Sequence, residues 1–372
     1  MALLVFWALS PACARRPERV VFGLAVTSSS HPAALLAVKQ INAGGGIDGV
    51  PVELAGLDWR VRDRFEPEDI LKWAHKYADT PELLAVIGHS DSRSTLAAAA
   101  EYNRLRIPQI VTIATNPAIT NIGGWTYRLC ISDALQGAAL AEYAVRDWAK
   151  RRIAVFYVND DYGRVLTRIF EDHVRGLGGE IIFSVMHRDN LEPDDQELIQ
   201  SNLIRSRKTR EPDLLALFQR MDAARWTIAA ARKVGLAADI LGSDSLGPIG
   251  FVQASPEITE GMRIAQFFLA LPENKRSVQF VRDFVEYTGK QPDYAQAFTY
   301  DAVLLLRDAV RAGGFTHAEV RAYLDSLIEN GAQLDGVAGP YAFGSDHDAR
   351  RAFHIVEARG PTHRLLKSLK PD

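Results

Sequence analysis

The stretch from Leu83 to Thr120 constrains this chain more than any other. It holds two short apolar runs, Leu83 to Ile87 and Ile107 to Ile113, with the length and β-branched content of buried strands. Each run breaks into hydroxyl residues: Ser90, Ser92, Ser94 and Thr95 after the first, Thr112, Thr115 and Thr120 after the second. Between them the alanine-rich segment Thr95 to Leu105 reads as a helix. A strand, helix, strand unit of this kind crosses over right-handed. That brings both hydroxyl loops to one edge of a parallel sheet, the edge where open α/β folds bind ligands. The pattern predicts a polar ligand held by hydroxyls and helix amides.

The same alternation runs through most of the chain. Val20 to Val26 is an earlier buried strand, followed by Thr27-Ser28-Ser29-Ser30 and a helix from Pro32 to Asn42. Gly44 to Gly49 spells G-x-G-x-x-G, but it follows a helix and precedes the strand Val52 to Leu57. A phosphate cradle needs the reverse order, so these glycines end a helix and turn the chain. A helix near Glu68 to Ala78 closes the third alternation. After an extended piece, Trp125 to Ile131, Ser132-Asp133 caps a helix reaching Ala149. Strands at Ile153 to Val158, Glu180 to Val185, Leu214 to Phe218 and Asp239 to Leu241 then alternate with helices. The last third has a strand at Met262 to Phe268 and three helices with no strand between them, which are expected to complete the first lobe. The predicted class is α/β, with two doubly wound parallel-sheet lobes joined by a three-segment hinge. One lobe is expected over 19–131 plus 262–338, the other over 132–261 plus 339–372.

A chain of 372 residues suffices for two such lobes, and its net charge of -3 leaves no basic footprint for nucleic acid. The start, MALLVFWALSPACARR, is an apolar run ending in Ala12-Cys13-Ala14, and 1–18 reads as a signal segment with the alternative of an N-terminal membrane anchor. Without it Cys130 is the one remaining cysteine and reads as core. Asp346-His347-Asp348 is a charged turn with nothing at ligand spacing beside it, so no metal and no cofactor are expected. Gly88-His89-Ser90-Asp91-Ser92 sits between strand and helix like a nucleophile elbow, but Ser92 replaces the second glycine such a turn needs. A binding protein rather than an enzyme is expected.

In order along the chain lie Ile41-Asn42-Ala43-Gly44-Gly45, Val86-Ile87-Gly88-His89, Ala114-Thr115-Asn116-Pro117, Tyr127-Arg128, Ser132-Asp133 with Gln136-Gly137, Asp161-Tyr162-Gly163, Leu241-Gly242-Ser243-Asp244, Tyr300-Asp301-Ala302 and Gly336-Val337-Ala338-Gly339. Together these segments resemble the type I periplasmic binding proteins of the branched-chain amino-acid (Leu/Ile/Val) kind, the substrate-binding components of ABC importers. The resemblance implies a periplasmic protein that clamps an amino acid or related small carboxylate between its lobes. It implies delivery to a membrane permease served by ATPase subunits, with the membrane met only there or through an N-terminal anchor. The same fold also serves ligand-sensing regulators and receptor domains, and a retained N-terminus would mark that alternative.

Carried over residue by residue, the resemblance puts the ligand carboxylate on Ser92, with Ser94 or Ser90 beside it, and on the Thr115 hydroxyl. The ammonium falls to the backbone carbonyl of Ile113 and to Asp244, and Tyr162 covers the ligand from the second lobe. The chemistry agrees, since a carboxylate is held by helix amides and hydroxyls, and a dehydrated ammonium needs a carboxylate. Two departures stand out. The loop before the first helix is shorter than the family's, and a family aromatic position falls on Arg220. That residue either pairs with a second ligand carboxylate or caps a strand end.

Overall fold

The computed structural model describes residues 16–56 and 67–370. The expected signal segment therefore lies outside the described residues up to position 15, Cys13 included. The elements run β1 (Val20–Ala25), α1 (His31–Ala43), β2 (Val52–Gly56), α2 (Pro67–Ala78), β3 (Leu83–Gly88), α3 (Ser92–Leu105), β4 (Gln109–Val111) and β5 (Thr126–Arg128). The chain then crosses to α4 (Asp133–Glu142), β6 (Arg152–Val158), α5 (Gly163–Gly176), β7 (Glu180–His187), α6 (Pro193–Thr209), β8 (Leu214–Phe218), α7 (Met221–Lys233), β9 (Asp239–Gly242), α8 (Ile249–Ala254), α9 (Pro256–Thr259) and β10 (Arg263–Gln266). It returns for α10 (Lys275–Thr288), α11 (Tyr294–Gly313) and α12 (His317–Glu329), then ends in β11 (Leu334–Gly336), β12 (Gly339–Phe343), β13 (Ala349–Arg351), β14 (Phe353–Arg359) and β15 (Thr362–Leu369).

The first sheet has the order β2-β1-β3-β4-β5 and is parallel throughout. Its inner strands β1 and β3 are apolar on both faces and fully buried, as strands of a parallel sheet covered by helices are. Helices α10 and α11 pack on α1, and α11 and α12 pack on β3 and on each other. The second sheet runs β15-β14-β10-β9-β8-β6-β7, parallel from β10 to β7 and closed by the antiparallel β14 and β15. In both sheets the strand order reverses beside the first strand of the lobe, between β1 and β3 and between β6 and β8. Loops at such switch points leave a crevice.

Two expected lobe boundaries are corrected. The strand near Met262 is expected in the first lobe with the residues after it, but β10 pairs with β9 and β14 and so belongs to the second sheet. An apolar strand carries no record of which sheet it enters. Residues from 339 are expected whole in the second lobe. Instead β12 pairs with β11 and β13 in a separate three-stranded sheet, and only β14 and β15 join the second lobe. The helix expected to reach Ala149 stops at Glu142 and continues as a π-helical turn over Tyr143–Asp147.

A buried ion pair sits where the chain leaves the first sheet at the hinge, tying the end of β5 to the turn before β13. Arg128, at the end of β5, donates Nε and Nη2 to both oxygens of Asp348 at 2.8 and 2.6 Å, and Nη1 to the Asn116 carbonyl at 2.7 Å. Cys130 is buried, and burial raises its thiol pKa, as expected of a core cysteine. Among the described residues no helix is long and apolar enough to cross a membrane.

Candidate ligand-binding site

Loops from both lobes enclose a cavity of about 340 Å3. The first lobe supplies Ser90, Asp91 and Ser92 between β3 and α3, and Ile113, Ala114 and Thr115 after β4; Tyr294 at the start of α11 adds an aromatic wall. From the second lobe come Tyr162 after β6, Arg220, Met221 and Asp222 after β8, and Asp244, Ser245 and Pro248 after β9.

Of the residues singled out from the sequence, Ser92, Ile113, Thr115, Tyr162, Arg220 and Asp244 all line this cavity. Ser94 does not line it. Asp91 caps α3 and accepts the Ser94 amide at 2.9 Å, which commits that donor and turns the residue into the helix. The amides of Ser92 and Arg93 remain as the first-turn donors of α3. Ser90 also sits in the lining, but its hydroxyl accepts the Thr27 amide at 2.8 Å. His89 turns away from it toward the Tyr102 hydroxyl, 3.2 Å distant. Burial drops the His89 pKa to about 4, so the ring is neutral near pH 7.

Local sequence chemistry explains the placement. Gly88 has φ 124, and a Cβ there would lie 2.2 Å from the Ala25 carbonyl, so the strand-to-helix turn that exposes Ser92 admits only glycine. Gly163 plays the matching role across the cleft, where a Cβ would fall 2.1 Å from the Val158 carbonyl. Asp160 accepts the amides of Tyr162 and Gly163 at 3.0 and 2.7 Å, fixing the turn that carries the tyrosine.

The two walls differ in charge. The first lobe offers hydroxyls, helix amides and backbone carbonyls, and its one lining acid, Asp91, is engaged as the cap of α3. The second presents the Asp244 carboxylate, whose Oδ1 accepts the Tyr162 hydroxyl at 2.7 Å and the Gln136 amide at 2.9 Å. Behind it lies Asp133, fully buried, which accepts the same Gln136 amide at 3.3 Å, while its Oδ2 has no hydrogen-bond partner among the described residues. Burial raises the Asp244 carboxyl above its ordinary value of 3.8, outweighing the bonds from Tyr162 and Gln136 and the pull of Arg220. It raises Asp133 further, helped by the charge of Asp244, against the Thr115 hydroxyl, Arg128 and Gln136. Burial, together with these carboxylates, also keeps the Tyr162 phenol protonated as a donor.

Sequence reasoning does not single out Asp133 and Gln136 for the site: it reads Asp133, with Ser132, as a helix cap and Gln136 only as part of a family marker. Their spacing of three places them on one helical face, which is the signal that was available. Nothing local marks Tyr294, which reaches the cavity from an element more than 170 residues after Thr115. Arg220 does stand at a strand exit, as the N-cap residue of α7, though its side chain makes no capping bond. It is already engaged, with Nη2 donating to Asp160 at 2.7 Å, Nε 3.6 Å from Asp189, and the guanidinium carbon 5.4 Å from the centre of the Tyr162 ring.

A family model described as periplasmic binding protein matches residues 22–362. An amino acid binding protein of Pseudomonas aeruginosa is 31% identical over 154 residues, 41% of this chain and 40% of that protein's length. The Leu/Ile/Val-binding protein of Escherichia coli strain K12 is 25% identical over 323 residues, 84% of this chain and 81% of that protein. Among solved structures, a branched-chain amino acid transporter substrate binding protein from Streptococcus pneumoniae, in complex with isoleucine, superposes with a TM-score of 0.83. It is 22% identical and covers 95% of this chain and all 100% of its own.

Proposed function

Since the chain belongs to the periplasmic binding protein family, we propose that it is the substrate-binding component of an ABC importer. It captures an α-amino acid or related small carboxylate between its lobes and delivers it to a membrane permease served by ATPase subunits. It acts in the periplasm and binds its ligand without transforming it.

The observation that carries this reading is the charge pattern of the cavity. A buried acid, Asp244, with a second acid behind it, faces a wall of hydroxyls and amides whose own acid, Asp91, is turned to cap α3 through the Ser94 amide. No cation pairs with Asp244 by a salt bridge among the described residues, so the protein leaves its carboxylate short of positive charge. A ligand ammonium supplies it. The ligand carboxylate then falls to the Ser92 and Thr115 hydroxyls and the first amides of α3, which hold an anion without an arginine.

Binding first on the first-lobe wall would leave the ammonium exposed until the second lobe brings Asp244 and Tyr162 over it. Those contacts exist only in the closed form and shift the population toward it. A permease that recognises the closed form thereby receives loaded protein.

Thermal-shift screening against amino acids, followed by calorimetry, tests the proposal, because a ligand that binds only the folded chain raises its melting temperature. A library of α-amino acids and related small carboxylates in which none shifts the transition would remove it.

A further inference from the structure

Once a zwitterion's two charges are assigned, one cavity group stays unused. Arg220 lines the wall with a side chain 37% exposed, and its direction is imposed from three sides. Asp160 takes Nη2 and is itself fixed by two backbone amides, Asp189 stands beside Nε, and the Tyr162 ring lies against the guanidinium. A guanidinium has five N–H donors. Nη1 makes no hydrogen bond among the described residues, so a pre-oriented donor is left over. Tyr162 also sets the distance, since the ring against Arg220 is the one whose hydroxyl donates to Asp244. An amino acid anchored at Asp244 would have its side chain directed along that ring.

The charge around Arg220 decides what can meet it. Asp160 already matches its single positive charge, Asp189 stands beside Nε, and Asp222, which lines the cavity and is itself paired with Arg225, adds another acid nearby. A ligand carboxylate arriving there would meet a neutralised guanidinium inside an acidic surround. An aliphatic side chain would cover the donor and leave it unsatisfied. A primary amide suits both features, because its carbonyl accepts from Arg220 and its NH2 donates to a neighbouring carboxylate.

We propose that Arg220 is a specificity-determining residue and that the cleft takes an α-amino acid whose side chain ends in a neutral amide, glutamine-like in chemistry, ahead of branched aliphatic or acidic ones. This rests on the zwitterion reading above. The test is calorimetry of the full chain, stripped of carried-over ligand, with glutamine, leucine and glutamate. Glutamine is expected to bind at least tenfold tighter than either of the others. In Arg220→Met its affinity should fall tenfold or more while leucine loses less, so the preference collapses; Arg220→Lys, which keeps the charge without the fork, should recover only part. Leucine or glutamate binding as tightly as glutamine would overturn the proposal, as would an Arg220→Met that weakens all three ligands equally, the mark of a structural role. Wild-type protein that binds none of the three overturns it too. Whether any other α-amino acid then binds shows if the zwitterion reading falls as well.

Discussion

Asp348 and Asp244 are both buried, at 5% and 4% exposure, yet they are treated in opposite ways. Asp348 receives two nitrogens of the buried Arg128 and is charge-matched within the fold. Asp244 receives a phenol and an amide, neither carrying charge, and shares that amide with the equally buried Asp133. A carboxylate deprived of water needs a cation or a proton. The hinge supplies the cation from its own chain. The cleft supplies none by a salt bridge among the described residues, and the difference separates a charge matched within the fold from one that, on the proposed function, a ligand matches.

If that contrast is right, removing the cation at the hinge has the largest effect. Arg128→Met strands a buried Asp348 and takes a donor from the Asn116 carbonyl. A loss of about 3–5 kcal/mol of folding stability is expected, as for other broken buried pairs. Urea unfolding measures it, and a loss under about 1 kcal/mol would show that water reaches the pair in solution.

The corresponding change in the cleft acts on binding. Asp244→Asn keeps the shape and takes away the countercharge for an ammonium, so amino-acid affinity should fall by about 2–5 kcal/mol in calorimetry. Folding stability in the absence of ligand should not fall with it. A variant that unfolds more easily but binds as well as wild type would reverse the contrast.

Proton linkage sharpens it further. In the ligand-free protein Asp133 and Asp244 hold protons better than an unfolded chain does, because burial raises both above 3.8. They therefore add stability that is fully present below 3.8 and is lost as pH rises through their raised folded values. Asp133→Asn, permanently neutral, should melt above wild type at neutral pH and lose that advantage as the pH falls toward 3.8. Ligand affinity runs the other way, declining with acidification over the same window, because an ammonium needs ionised carboxylates. Melting curves of both proteins across that range, with and without ligand, check both signs.

How much of this was legible depends on whether the signal was local. The β3, α3, β4 unit could be read because apolar runs, hydroxyl breaks and an alanine-rich helix all fall within 40 residues of chain. Tyr162 and Asp244 needed the resemblance, since an aspartate after a glycine and serine is otherwise a turn residue. The sheet that β10 enters was not legible, because strand pairing is a tertiary choice and buried strands look alike. Asp133 was read as a helix cap, which its position at the start of α4 supports. What sets it apart is burial beside a second acid 111 positions away, and no local pattern records that. The engagement of Arg220 by Asp160 and Asp189 was hidden for the same reason.

The smallest expected effect lies on the seam between the two regions. Asn116 leaves the first sheet after β4, caps a short 3-10 turn through its Oδ1, and gives its carbonyl to Arg128. Its Nδ2 donates 2.6 Å to the Asp161 carbonyl in the second lobe, one residue before Tyr162. The hinge pair and the cleft wall thus meet in one residue, through its backbone carbonyl and its side chain, that lies outside the cavity lining. Asn116→Ala removes a single hydrogen bond between the lobes, worth about 1 kcal/mol, and with it the Oδ1 cap on the Ala118 amide, which lowers folding stability in either case. If that bond belongs to the closed form, the loss appears as a roughly fivefold faster ligand dissociation through the closed population. If instead it persists in the open form, dissociation is unaltered and only folding stability falls. Stopped-flow dissociation paired with urea unfolding separates the two, and so determines whether the hinge side of the contrast extends as far as the wall that carries Tyr162.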